Sequence, residues 1–170
     1  MEIVIKKACK GDSKRIANCF KELIKSGKNI SMASNMPFKR EKIILIEKEI
    51  REDKRNICHL IAEDISTKKV VGYCNFKGPE TGRTKHRVDC GWFVHPNYMQ
   101  RGIATKMLSA LIDEAKRRGY KRMEAEIAVT NAPSIKLIEK RGFIKEGLKR
   151  SSILLDDGKF EDTFIFALLI

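Results

Sequence analysis

The chain has 170 residues, 42% of them hydrophobic, with 35 Lys and Arg against 22 Asp and Glu for a formal net charge of +13. That size suits one domain with a substantial core, and no apolar run approaches the roughly 20 residues a bilayer span requires. The cations are spread along the chain with acids between them, and no arginine-rich tail, helix-turn-helix or aromatic RNA-binding motif accompanies them, so the charge reads as a solvated surface that suits an anionic ligand and argues against a nucleic-acid-binding protein.

The N-terminus, MEIVIKKACKGD, carries an acid at position 2 and only a short apolar stretch, so no signal peptide is expected. Cys9, Cys19, Cys58, Cys74 and Cys90 are odd in number and form no CxxC pair, which fits free thiols in a reducing cytoplasm. His59, His86 and His95 do not join them at ligand spacing, so no metal site is expected.

In chain order, Ile3 to Ala8 reads as a strand. Asp12 or Ser13 then caps a helix whose inner face is Ile16, Cys19, Phe20, Leu23 and Ile24, and Gly27 ends it. Ser31 to Met36 is a polar loop closed by Pro37. Phe38 to Glu52 reads as a second helix: the run Ile43 to Ile46 would also suit a strand, but Glu47 and Arg51 at i,i+4 favour a helix. Asn56 to Asp64 and Lys69 to Lys77 are strands joined by a turn at Ile65 to Lys68. After a loop from Gly78 to Arg83, His86 to Val94 is another strand. Apolar residues at Ile103, Met107, Leu108, Leu111, Ile112 and Ala115 mark the buried face of a helix that closes on Lys116, Arg117, Arg118 and Gly119. Lys121 to Val129 is a strand, Asn131 opens a short helix ended by Gly142, and Phe143 to Leu155 and Phe160 to Ile170 form a hairpin around Asp156-Asp157-Gly158. The order is β-αα-βββ-α-β-α-ββ, a single mixed α/β domain over residues 1–170. The last strand is apolar on both faces, with Phe164, Phe166 and Leu168 on one and Thr163, Ile165 and Ala167 on the other, so both need cover from helices or a second subunit.

The chain turns on Gly91 to Thr105, GWFVHPNYMQRGIAT, where a strand passes through a tight loop into a helix. A helix start presents unpaired N–H groups and a partial positive charge. Gly102 and Ala104 keep side chains small there and Arg101 adds charge, so the loop is either a phosphate site or an ordinary strand–helix junction. It is neither a Walker loop nor a GxGxxG fingerprint.

Downstream, NAPSIKLIEKRGFIKEG follows at a spacing of about thirty residues. The pair of motifs, together with the element order, resembles the GNAT superfamily of N-acetyltransferases, most closely the branch with ribosomal-protein-alanine and amine acetyltransferases. The resemblance implies a mostly antiparallel sheet flanked by helices, acetyl-CoA as donor, direct transfer to a primary amine (a small amine, an amino acid or a protein N-terminus) and, by family habit, a homodimer. It implies that the pantetheine arm pairs with the backbone of Phe93 and Val94. It places the pyrophosphate on Met99, Gln100, Arg101, Gly102, Ile103 and Ala104, with Thr105 in the first helical turn. Asn131 is an N-cap, a cofactor contact, or both.

Acyl transfer to an amine needs a base, a stabilised carbonyl oxygen and a proton for the leaving thiolate. Where many members carry a Tyr acid, this chain has Ile138, which cannot donate; Ser134, one turn earlier, is the candidate acid, with Tyr98 and Tyr120 as alternatives. Glu126 and Asp89 are the candidate bases, with Glu124 on the same strand face as Glu126. His86 and His95 are weaker candidates, and Cys90 reads as a buried thiol. The acceptor side is expected from residues 29–38 and 83–87, with Met32, Met36 and Phe38 lining a slot or packing in the core. A noncatalytic acyl-CoA-binding module is the alternative, motivated by Ile138.

Overall fold

The computed structural model describes residues 2–27 and 40–170; the expected acceptor-side loop at 29–38, with Met32, Met36 and Phe38, lies outside them. The described residues form β1 (Ile3–Lys7), α1 (Asp12–Ser26), α2 (Arg40–Glu52), β2 (Ile57–Asp64), β3 (Lys69–Lys77), β4 (Arg87–Val94), a 3-10 turn at Pro96–Tyr98, α3 (Ile103–Arg117), β5 (Arg122–Ala128), α4 (Ala132–Lys140), β6 (Ile144–Leu154) and β7 (Phe160–Leu169). The strands make one seven-stranded sheet in the order β1-β2-β3-β4-β5-β7-β6. Every neighbouring pair is antiparallel except β4 and β5.

Helices cover both faces of the sheet. Ile103, Met107, Leu108, Leu111, Ile112 and Ala115 of α3 all meet the larger core, with Phe76, Val88, Met123 and Phe166 from the sheet and Ile138 from α4. On the opposite face Ile16 and Cys19 of α1 and Ile46 of α2 pack on Ile61, Val70 and Tyr73. At Gly72 of β3 the approach of α3 is close: a Cβ there would lie 2.9 Å from Met107 Cε and 3.3 Å from Ala62 Cβ.

The start of α1 differs from the expectation of a side-chain cap by Asp12 or Ser13. Its N-cap is Gly11 at φ 92°, with no side-chain cap bond. The Asp12 carboxylate instead turns back to accept the Cys9 N–H at 2.9 Å and pairs with Arg15. The capping oxygens come from α2: Glu47 accepts the Gly11 N–H at 3.1 Å and the Ser13 hydroxyl at 2.7 Å. An acid from a neighbouring helix does the same electrostatic work at a positive helix end as a local cap.

The last strand, apolar on both faces, lies inside the sheet between β5 and β6, which leaves β6 as the edge. Thr163, Phe166 and Ala167 are buried, while Ile144, Leu148, Leu154, Phe160 and Leu169 remain exposed along the β6–β7 hairpin and its ends.

Candidate active site

The site begins where β4 and β5 part. Parallel strands pair only at Arg87↔Arg122, Val88↔Met123 and Asp89↔Glu124; beyond Asp89 the two diverge. Antiparallel pairing of β4 with β3 continues without a break from Asp89 to Val94. The His95 N–H donates to Val71 O at 2.8 Å on the β3 side, and His86 O accepts the Lys121 N–H at 2.9 Å on the β5 side. Backbone polar groups alternate sides along a strand. Trp92 and Val94 therefore turn their N–H and C=O groups into the gap, where no strand among the described residues meets them.

A cavity of about 320 Å³ opens at this gap. Its lining includes Phe93 and Val94 from β4, Met99, Gln100, Gly102, Ile103, Ala104 and Thr105 from the loop and first turn of α3, and Asn131 and Ser134 from the start of α4. Two of the loop residues have left-handed backbone, Gln100 at φ 60° and Gly102 at φ 74°. Gly102 is the N-cap of α3, no side chain caps it, and the first helical bond runs from the Lys106 N–H to its carbonyl at 3.1 Å. The N–H groups of Ile103, Ala104 and Thr105 thus precede the first helical bond, and they suit an anion. Arg101 is exposed beside this turn, its guanidinium carbon 5.4 Å from the centre of the Tyr98 ring. Asn131 is the N-cap of α4: its side-chain oxygen accepts the Ser134 N–H at 3.3 Å while the residue lines the cavity.

Residues 26–143 match the family model described as the acetyltransferase (GNAT) family. N-acetyltransferase p20 of Bacillus licheniformis, itself uncharacterised, is 31% identical over 144 residues, 83% of this chain and 77% of that protein. The chain belongs to the GNAT acetyltransferase family. The [ribosomal protein bS18]-alanine N-acetyltransferase of Escherichia coli K12 is 36% identical over a shorter stretch of 77 residues, 45% of this chain and 51% of that protein. Among solved structures, yncA of Salmonella typhimurium, solved with its cofactor acetyl-CoA, superposes with a TM-score of 0.80 at 24% identity, covering 98% of this chain and 93% of that one.

Ile138, where the resemblance led us to look for an acid, is fully buried in the core under α4. Ser134, four residues earlier on the same helix, lines the cavity, and its hydroxyl has no hydrogen-bond partner among the described residues. The two tyrosines have other tasks. Tyr98 lines the cavity, but its hydroxyl donates to Asp64 Oδ2 at 3.0 Å; burial and that carboxylate raise its pKa. Tyr120 donates to Arg55 O at 3.1 Å and packs on Phe76, away from the cavity lining.

The two candidate bases sit in contrasting surroundings. Glu126 accepts hydrogen bonds from Lys149, from the Ser152 hydroxyl at 2.6 Å and from the Thr163 hydroxyl at 2.6 Å. Although burial opposes it, these donors bring its pKa down to about 2. Asp89 makes no hydrogen bond or ion pair among the described residues, and partial burial followed by the charge of Glu124 raises its pKa above the ordinary value. Glu124 itself is held by Arg122 at 2.7 Å and Arg87 at 3.3 Å. Burial pushes the Cys90 thiol up, so it stays protonated and is a poor nucleophile.

Four further cavity residues had no role in the motif reading: Leu23, Trp92, Pro133 and Leu137. Leu23 and Leu137 carried only a helical-face signal. Trp92, the one tryptophan of the chain, sits among apolar neighbours whose alternation gives no sign of a gap beside it.

Proposed function

We propose that the protein transfers the acetyl group of acetyl-CoA directly to a primary amine, either a small amine or amino acid or the N-terminus of a protein. The observation that carries this reading is the unpaired β4 backbone at Trp92 and Val94, which leads from the end of the β4–β5 pairing to the uncapped start of α3. An extended amide-bearing arm that ends in phosphates has the shape and charge for that path. The backbone of Trp92 and Val94 would hold the arm, in place of the expected Phe93, whose polar groups face β3, and the turn from Met99 to Thr105 the pyrophosphate. Bound there, acetyl-CoA supplies an activated thioester. The family membership and the acetyl-CoA-bound neighbour support the donor, and the ribosomal-protein relative supports a protein N-terminus among the acceptors.

In this reading the residues of the chain divide the proton work. Asp89, at the apex of the gap and without a cation pinned to it, takes a proton from the incoming ammonium directly or through water. The Val94 N–H faces the gap and stabilises charge on the thioester oxygen. The Ser134 hydroxyl donates toward the departing sulfur. Glu126 ties β5, β6 and β7 together and is too weak a base, with its pKa near 2, to serve at neutral pH.

A thiol-release assay with acetyl-CoA across amino acids, polyamines and N-terminal peptides tests the proposal, with binding followed by calorimetry. Release with at least one amine is the expected result. Binding without release from any acceptor would favour an acyl-CoA-binding module, and no binding at high micromolar concentration would refute the reading. Asp89→Asn should lower kcat/KM by about 100-fold and remove the acid limb of its pH profile, with little change in acetyl-CoA affinity.

A further inference from the structure

The turn that would hold the pyrophosphate is strained before any ligand arrives. Gln100, a residue with a side chain, has φ 60°, and Gly102 follows at φ 74°. Left-handed backbone at a non-glycine residue persists only where surrounding contacts hold it. The next residues on the N-terminal side of this turn supply such a contact.

Tyr98 closes the 3-10 turn at Pro96–Tyr98, its N–H bonded to His95 O at 2.8 Å. Its hydroxyl reaches 34 residues back to Asp64, the last residue of β2. Asp64 is 2% exposed. One of its oxygens is fixed by the Ser66 N–H at 3.0 Å and the Ser66 hydroxyl at 2.6 Å, and the other takes the Tyr98 hydroxyl. The carboxylate is thus a rigid, charged acceptor set in the β2–β3 turn. Tyr98 lines the cavity and carries the Arg101 guanidinium over its ring.

We infer that Asp64 is a positioning residue for the phosphate-holding turn: it fixes Tyr98, and Tyr98 fixes Arg101 and the left-handed pair around it. Asp64 does not line the cavity and touches no reacting group. Its effect is on preorganisation: the turn that lines the cavity is already held in one backbone conformation, so binding loses less free energy to ordering it. This inference rests on the acetyl-CoA reading, and its signature is selective. Loss of the Asp64–Tyr98 bond should weaken donors that carry the pyrophosphate and spare one that lacks it.

The experiment compares acetyl-CoA with S-acetylpantetheine, which keeps the thioester and the amide arm but has no phosphate. Loss of one charge-assisted hydrogen bond predicts that Asp64→Ala raises KM for acetyl-CoA by about tenfold, with a much smaller change in kcat at saturation. The kcat/KM with S-acetylpantetheine should fall by less than about twofold. Asp64→Asn keeps its oxygen for the Ser66 N–H and can donate its amide N–H to the Tyr98 hydroxyl, which then accepts, so it should restore most of the loss. Tyr98→Phe removes only the hydroxyl and should reproduce the donor-selective pattern even if Asp64→Ala does not fold. Equal losses with both donors, or an unchanged KM for acetyl-CoA in Tyr98→Phe, would overturn the inference while leaving the transferase reading intact. Failure of the unsubstituted protein to bind acetyl-CoA would overturn both.

Discussion

Glu126 shows how one side chain can look catalytic by position and be structural by its contacts. Its carboxylate joins Lys149 and Ser152 on β6 to Thr163 on β7. Its folded-state pKa is about 2 against an ordinary 4.5. As pH falls, the unfolded chain therefore takes up the proton first, so the contribution is complete above 4.5 and is lost between 4.5 and about 2. Glu126→Gln should flatten the fall in stability across that window, as read by urea unfolding at a series of pH values. Gly72 makes a second prediction at this scale. Its missing side chain is what lets α3 lie against β3, because a Cβ would press on Met107. Gly72→Val should cost about 1–3 kcal/mol by overpacking, measured as a lower urea midpoint.

Among the elements, the end of α3 is tied down more firmly than its start. Arg118, the C-cap of α3 with a side chain 7% exposed, donates to Lys54 O at 3.0 Å, Arg55 O at 3.0 Å and Ile57 O at 2.7 Å, and to Glu114 at 2.7 Å. Arg55 returns two bonds to Arg118 O, at 3.0 and 2.7 Å. One cation thus bonds two carbonyls between α2 and β2 and the first carbonyl of β2 while it suits the negative end of its own helix. Arg118→Ala removes all of these bonds and takes from Ile57 O its side-chain donor, while Lys54 O keeps the Ile57 N–H and Arg55 O the Tyr120 hydroxyl; it should destabilise the protein by about 2 kcal/mol, again by urea unfolding. Arg118→Lys should recover little of this, because an ammonium group lacks the planar fork. Only the helical period and the cationic last turn of α3 were visible in the sequence; that Arg118 reaches across to the segment before β2 follows from packing. The same limit applies to α1, where Asp12 looked like the cap and the working oxygens came from Glu47 on α2. Element types and ends were legible because period and glycine placement are local. The partners at their ends are set by elements distant in the chain.

At the scale of the whole molecule, the sheet order decides what the motifs can do. The hairpin of β6 and β7 was legible from Asp156-Asp157-Gly158, but its insertion with β7 against β5 was not, because strand pairing at long separation leaves no local mark. The turn from Met99 to Thr105 and the helix start after it were legible for the opposite reason: they form one continuous stretch. The cavity around it needed α1, α4 and the parting of β4 from β5. Net charge also acts at this scale. A chain at +13 attracts a polyanionic donor over long range. As salt shortens the screening length from about 10 Å at 0.1 M to about 3 Å at 1 M, KM for acetyl-CoA should rise, whereas KM for S-acetylpantetheine should stay nearly flat. Initial-rate measurements at graded salt check this.

The parting of β4 and β5 has one more consequence, for exchange with solvent. The amides of Trp92 and Val94 belong to a strand in the middle of the sheet, yet their hydrogens face a gap and not a neighbour. In the free protein they should exchange with deuterium far faster than the amides of Phe93 and Gly91 on either side of Trp92, which face β3, giving an alternating record along one strand. A ligand lying in the gap as a short surrogate strand would slow both and erase the alternation. That pattern, read residue by residue by NMR, would report occupancy of the gap without any turnover of substrate.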